Sequence, residues 1–82
     1  MNHAAALMLV EMELSSARNK HPSWPGTESK QDILSAATIV AEESGELIHA
    51  AVQYYGEEGN AESCFREAIQ IAATCFRFLE GK

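Results

Sequence analysis

Two clusters of helix breakers divide this chain and leave little besides helices between them. The first is His21-Pro22-Ser23-Trp24-Pro25-Gly26, where two prolines and a glycine forbid a continuous helix. The second is Gly56 with Gly59, which supply an end and a turn. Around them lie three segments whose apolar residues recur three and four positions apart. In the first, from about His3 to Asn19, Leu7, Val10, Leu14 and Ala17 repeat with Met8 beside them, and Glu11, Glu13, Arg18 and Lys20 take the other positions. The second starts after Ser29 or Thr27 as N-cap, carries Asp32 in its first turn and runs to about Tyr55. The third runs from about Ala61 to Leu79. With no repeat, low-complexity tract or linker, residues 1–82 read as a single all-α domain. It has three main helices, with room for a short extra turn in the proline loop.

The second segment is apolar around most of its circumference. At about 100° per residue, Ile33, Ala37, Val40, Leu47 and Ala51 share one side. Leu34, Ala41, Ile48 and Val52 widen it one way, and Ala36, Ile39 and Ala50 the other. Such a helix is expected to lie buried between neighbours. In the third segment Phe65, Ile69, Ala72, Phe76 and Leu79 form one stripe, with Cys64, Ala68, Ile71, Cys75 and Phe78 beside it. Ser63, Glu67, Gln70, Thr74 and Arg77 form a polar row opposite. These faces are wider than three short helices can cover among themselves. The subunit is therefore expected to join an oligomeric helix bundle, as a homodimer or dimer of dimers.

The formal charge of −6 argues against binding a nucleic-acid polymer, which needs a basic surface. It suits a site that gathers carboxylates around a divalent cation. Cys64 and Cys75 lie on one helix, about 16 Å apart at ~1.5 Å rise per residue, too far to pair. They read as reduced thiols of a cytoplasmic protein. No signal-peptide pattern opens the chain, and no apolar run is long enough for a bilayer, so no membrane partner is expected.

Within this frame one feature is out of place. Ala41-Glu42-Glu43-Ser44-Gly45-Glu46-Leu47 packs three glutamates into five positions of an apolar segment. Glu42 falls with Ser35, His49 and Gln53 on the narrow polar side, and Glu46 lies at its border. Glu43 falls inside the apolar arc, between Ile39 and Ala50 on one side and Ala36 and Leu47 on the other. A buried carboxylate without a partner costs several kcal/mol. Glu43 must be neutral, paired with a cation or bound to a metal. Glu43 and Glu46 are i, i+3 neighbours, as are Glu67 and Gln70 on the next helix. If the two helices pack side by side, the four residues converge, and oxygen ligands of this kind suit Mg²⁺ and phosphoryl chemistry. Trp24 either plugs the end of the helical core or stacks on a base or ribose. Lys20 and Lys30, flanking its loop with Arg18, either meet phosphate or are simply solvated.

These residues resemble a family. Glu42-Glu43-Ser44-Gly45-Glu46 is similar to the EExxE motif of the MazG-like nucleotide pyrophosphohydrolases, the all-α NTP pyrophosphatase superfamily. Glu67-Ala68-Ile69-Gln70 resembles the ExxD motif of its following helix, and the loop His21-Pro22-Ser23-Trp24-Pro25 looks like that of short phage or bacterial members. The resemblance covers about residues 20 to 80. It implies hydrolysis of a nucleoside triphosphate, often a dNTP or non-standard one, to monophosphate and pyrophosphate by an oligomeric helical enzyme. It also implies Mg²⁺ held by Glu43, Glu46 and Glu67, with Glu42 behind them or activating water. Trp24, Lys20 and Lys30 would be substrate-binding. Gln70 departs from the pattern: its carbonyl can ligate Mg²⁺ but brings no charge and cannot act as a base. That departure keeps open a non-catalytic MazG-like nucleotide-binding or helical oligomerisation protein. A third reading, an unrelated helical interaction protein, would have the glutamates paired with Arg18, Arg66 or Arg77.

Overall fold

Each helix begins at a side chain that caps it. In the computed structural model, which describes residues 1–82, α1 spans His3–Lys20, α2 Lys30–Tyr55 and α3 Ala61–Glu80, with no strand. Asn2 accepts from the Ala5 N–H at 2.9 Å, Ser29 from Asp32 at 3.0 Å and Asn60 from Ser63 at 2.9 Å. Each satisfies an N–H that the first helical turn leaves without a partner. Ser29 rather than Thr27 is thus the cap of α2, and the proline loop forms no helical turn of its own. At the end of α2 the left-handed residue is Glu57, with φ 67°, while Gly56 has an ordinary φ of −81°. Gly59 instead allows a close approach, since a Cβ there would stand 3.3 Å from that of Gln53.

α3 is the central element. α2 packs along one side of it and α1 along another, and α1 and α2 do not pack on each other. Met1 shares a groove with Phe65, and the Arg77 guanidinium reaches the carbonyls of Ala17 and His21, so α1 and α3 run in the same direction. α2 runs opposite: its Gln53 lies with Ser63 and its Ile39 with Ala73. The close approach of α2 to α3 is made by small side chains. Ala36, Ala50 and Ala73 are buried, and the only other buried residue is Arg77, 5% exposed. No helix is long and apolar enough to cross a membrane.

α2 is not enclosed within the chain: Ala36, Ile39, Val40, Glu43, Leu47 and Ala50 turn inward, while Leu34 is 62% and Ile48 64% exposed. The polar row of α3 borders the valley between α1 and α2, with Ser63, Glu67, Gln70 and Thr74 half-buried and Arg77 buried; of the apolar stripes Cys64, Ile69, Ile71, Ala72, Cys75 and Phe78 are half-buried as well, while Phe65 is 58% and Leu79 77% exposed. The physical reason lies at the closed end of the valley. There Arg77 serves two backbone carbonyls and an indole face, partners that no apolar side chain could satisfy.

Candidate metal centre and adjoining cleft

The inward turn of both helices brings three carboxylates together. One oxygen each from Glu43, Glu46 and Glu67 lie within 4.8 Å of one another. Glu43 is half-buried and Glu42 exposed, as their helix faces predict. An oxygen of Glu43 and one of Glu67 are buried with no hydrogen-bond partner. No arginine forms an ion pair with them: the one ion pair of the chain joins Arg18 to Glu80, far along α3. Burial, then repulsion from Glu46, Glu67, Glu13 and Glu42, raises the Glu43 carboxyl above its ordinary value. Burial also raises that of Glu67, with the neighbouring Glu46 carboxyl adding to the rise and Arg66 partly opposing it. Three carboxylates that repel one another, two with orphaned oxygens, are the donor set a hard divalent cation takes. Glu43, Glu46 and Glu67 are thus the residues that could hold a divalent cation.

The cluster stands on a ridge between two concavities. On one side Glu42, Gly45, Glu46 and His49 of α2 face Ser63 and Glu67 of α3 across a shallow outer recess. On the other is a cleft of about 460 Å³ between α1 and α2, floored by α3. Ile39 and Glu43 line it from α2; Gln70, Ala73, Thr74 and Arg77 form its floor. Glu13, Ser16, Ala17 and Lys20 line it from α1, and His21, Ser23 and Trp24 close its end. Its volume falls in the range of small-molecule sites. At the closed end the Arg77 guanidinium carbon sits 4.7 Å from the Trp24 ring centroid. One guanidinium nitrogen donates to the His21 carbonyl at 2.7 Å and another, at 3.5 Å, to that of Ala17. Burial, with Arg18 nearby, lowers the Arg77 pKa.

Of the residues singled out in the sequence, Glu43, Gln70, Trp24 and Lys20 meet in the cleft, and Glu42, Glu46 and Glu67 meet in the outer recess. Lys30 does not join them; it opens α2, exposed, and lines neither concavity. Trp24 is half-buried, closes one end of the helical valley and also lines the cleft, so the two readings of it are not exclusive. Glu13 and Thr74, to which the sequence assigns no site role, also line the cleft, as does Arg77, named there only as a possible partner of the glutamates. Glu13, Ser16, Ala17 and Lys20 stand at i, i+3, i+4 and i+7, the spacing of one helix face, and that spacing was the available signal for a polar inner face on α1. No protein-family model matches the chain, and no curated protein or solved structure matches it either.

Proposed function

We propose that this chain is a Mg²⁺-dependent nucleotide pyrophosphohydrolase of the MazG-like type. It would cleave a dNTP or non-standard NTP to the monophosphate and pyrophosphate, as a homodimer or dimer of dimers. The observation that supports this most is the meeting of Glu43, Glu46 and Glu67, none of them in an ion pair, beside a cleft of about 460 Å³. Glu43, Glu46 and Glu67 would hold the cation, with Gln70 one turn beyond Glu67 offering an amide oxygen. When bound, the cation would neutralise phosphate charge and make a bound water more acidic. Water attacks phosphorus, the bond between the α- and β-phosphates breaks, and pyrophosphate leaves. Glu42, exposed in the outer recess, would be the group that takes the proton from the attacking water at its carboxylate. The apolar wall of Ile39, Ala17 and Ala73 would exclude water around the nucleoside, and Lys20 would attract the anionic substrate.

Gln70 favours a second reading, in which the fold binds nucleotide without turning it over. The two are separated by pyrophosphate release from a panel of dNTPs and NTPs, with Mg²⁺ or EDTA, using wild type and Gln70→Asp. Mg²⁺-dependent release by the wild type is expected. Release by Gln70→Asp alone would select the second reading, and silence from both would overturn the enzyme.

A further inference from the structure

α3 carries a face that nothing in the chain covers. α2 packs along one side of this helix and α1 along another. On the remaining side run Phe65, Ala68, Ala72, Phe76 and Leu79, which at about 100° per residue share an arc of about 80°. Ala68 is exposed and Ala72 half-buried, while Phe65 is 58%, Phe76 38% and Leu79 77% exposed. Apolar side chains left this open along one line mark a surface that another molecule covers. Beside Ala68 the line opens into a wholly apolar groove of about 230 Å³, where Phe65, Ala68 and Ile69 face Met1, Ala6 and Val10. A cavity of about 150 Å³ already holds a benzene ring, so this groove has room for one phenyl group.

The order of side-chain sizes along the line identifies the occupant. Ala72 stands at the middle. Ala68 and Phe76 lie about 6 Å to either side of it along the helix axis, and Phe65 and Leu79 about 10 Å. Laid antiparallel on a copy of itself, the line matches: Ala72 meets Ala72, Phe76 meets Ala68 and Leu79 meets Phe65. The small side chains fall where two crossing helices come closest, and the large ones where the helices part. A two-fold interface demands this reciprocity, because each contact from i to j recurs from j to i. The area also suits a second copy. The chain shows 5871 Å² of surface, about 1,000 Å² more than a compact monomer of its mass, and each partner gives about 800 Å² to a standard interface. We propose that two copies of this chain pair through α3, antiparallel about a two-fold axis at Ala72, with each Phe76 seated in the partner's groove at Ala68. The inference rests on the assembly stated in the reading above and is independent of hydrolysis.

The test reads particle mass by light scattering at micromolar concentration, with helicity by circular dichroism alongside. Ala68→Glu, at an exposed position, puts a charge on the floor of the groove that receives Phe76, and the mass should halve. Adding Phe76→Lys to it sets Lys against Glu twice across the axis, and the original mass should return. Those two positions are eight residues apart on one helix, about 12 Å, so the rescue does not arise within a chain. A third arm decides the matter even where a charged variant loses its helices. In a Cys64→Ser, Cys75→Ser background, Ala72→Cys meets its own copy at the axis and should cross-link to a dimer under mild oxidation, while the background alone does not. A wild type that scatters as one chain overturns the inference together with the assembly. An assembly whose mass Ala68→Glu leaves unchanged, a double variant that stays at half the mass, or an Ala72→Cys chain that does not cross-link overturns the α3 pairing and leaves the assembly to another surface.

Discussion

At the scale of single residues, Glu43 and Glu67 carry the clearest consequences. Both carboxyls are raised above the ordinary 4.5 in the folded chain. Between that value and the raised ones, the folded state holds more protons than the unfolded state. In EDTA, their contribution is therefore fully present below 4.5 and is lost as pH rises through the raised values. Thermal melts across that range should show stability falling with pH in the wild type and a shallower fall in Glu43→Gln and Glu67→Gln. A rise with pH, once the other carboxylates are accounted for by these variants, would contradict the cluster's electrostatics. Mg²⁺ should reverse the penalty: at a hundredfold excess over its dissociation constant a ligand adds about 2.7 kcal/mol, on the order of 10 °C for a chain of this length. Glu43→Ala should lose that increment and reduce turnover by about a hundredfold or more, since even outer partners of a metal ligand are worth 10–100-fold. Full activity in Glu43→Ala would remove it from the site. Gln70→Asp should shift Mg²⁺ saturation to lower concentration, by restoring a charge one turn from Glu67; an unchanged midpoint would place residue 70 outside the cation's reach.

At the scale of elements, the helices and the faces of α2 were legible because period and breakers are local. Glu43 inward and Glu42 outward follow from about 100° per residue alone. The side of α3 that carries Glu67 and Gln70 was legible only on the condition that α2 and α3 pack side by side. The place of Arg77 was not, because its partners, the Ala17 and His21 carbonyls and the Trp24 ring, lie on other elements. Glu13 was hidden for a related reason: on α1 a polar inner face looks like a solvated one until α2 is seen across from it. Arg77 holds these elements in place by tying α3 to the end of α1 and to the Trp24 loop. Hydrogen bonds to a charged group are worth about 1.5–3 kcal/mol, and a desolvated cation–π contact about 2. Arg77→Met should therefore destabilise by about 2 kcal/mol or more on those figures and shift Trp24 emission to the red. Arg77→Lys should not rescue it, because one ammonium cannot span two carbonyls and an indole face. A midpoint within error of wild type would mean the loop is held by other contacts. The Arg18–Glu80 pair, about a third or more exposed on both sides, should matter little by comparison.

At the scale of the whole molecule, the single chain exposes too much surface. A compact monomer of 9.0 kDa is expected to show about 4,900 Å², whereas this chain shows 5871 Å². Its radius of gyration is 13.7 Å, against about 11.7 Å for a compact domain of this length. The excess surface, about 1,000 Å², is close to one partner's share of a standard interface. Much of what is exposed is apolar: Leu34, Ala41, Ile48 and Val52 follow one line along α2, and Phe65, Phe76 and Leu79 another along α3. If half the excess is apolar, its burial is worth about 12 kcal/mol at ~25 cal/mol per Å², on the order of the entire stability of a small domain. If a second copy covers that surface, folding and assembly are one equilibrium. The melting temperature should rise with protein concentration, and light scattering at micromolar concentration should give a mass of at least two chains. Ile48→Lys, which places a charge in the α2 line far from the metal-facing side, should lower both the mass and the melting temperature. A wild type that scatters as a 9.0 kDa particle, with a melting temperature independent of concentration, would mean these helices stand alone with their apolar lines in water.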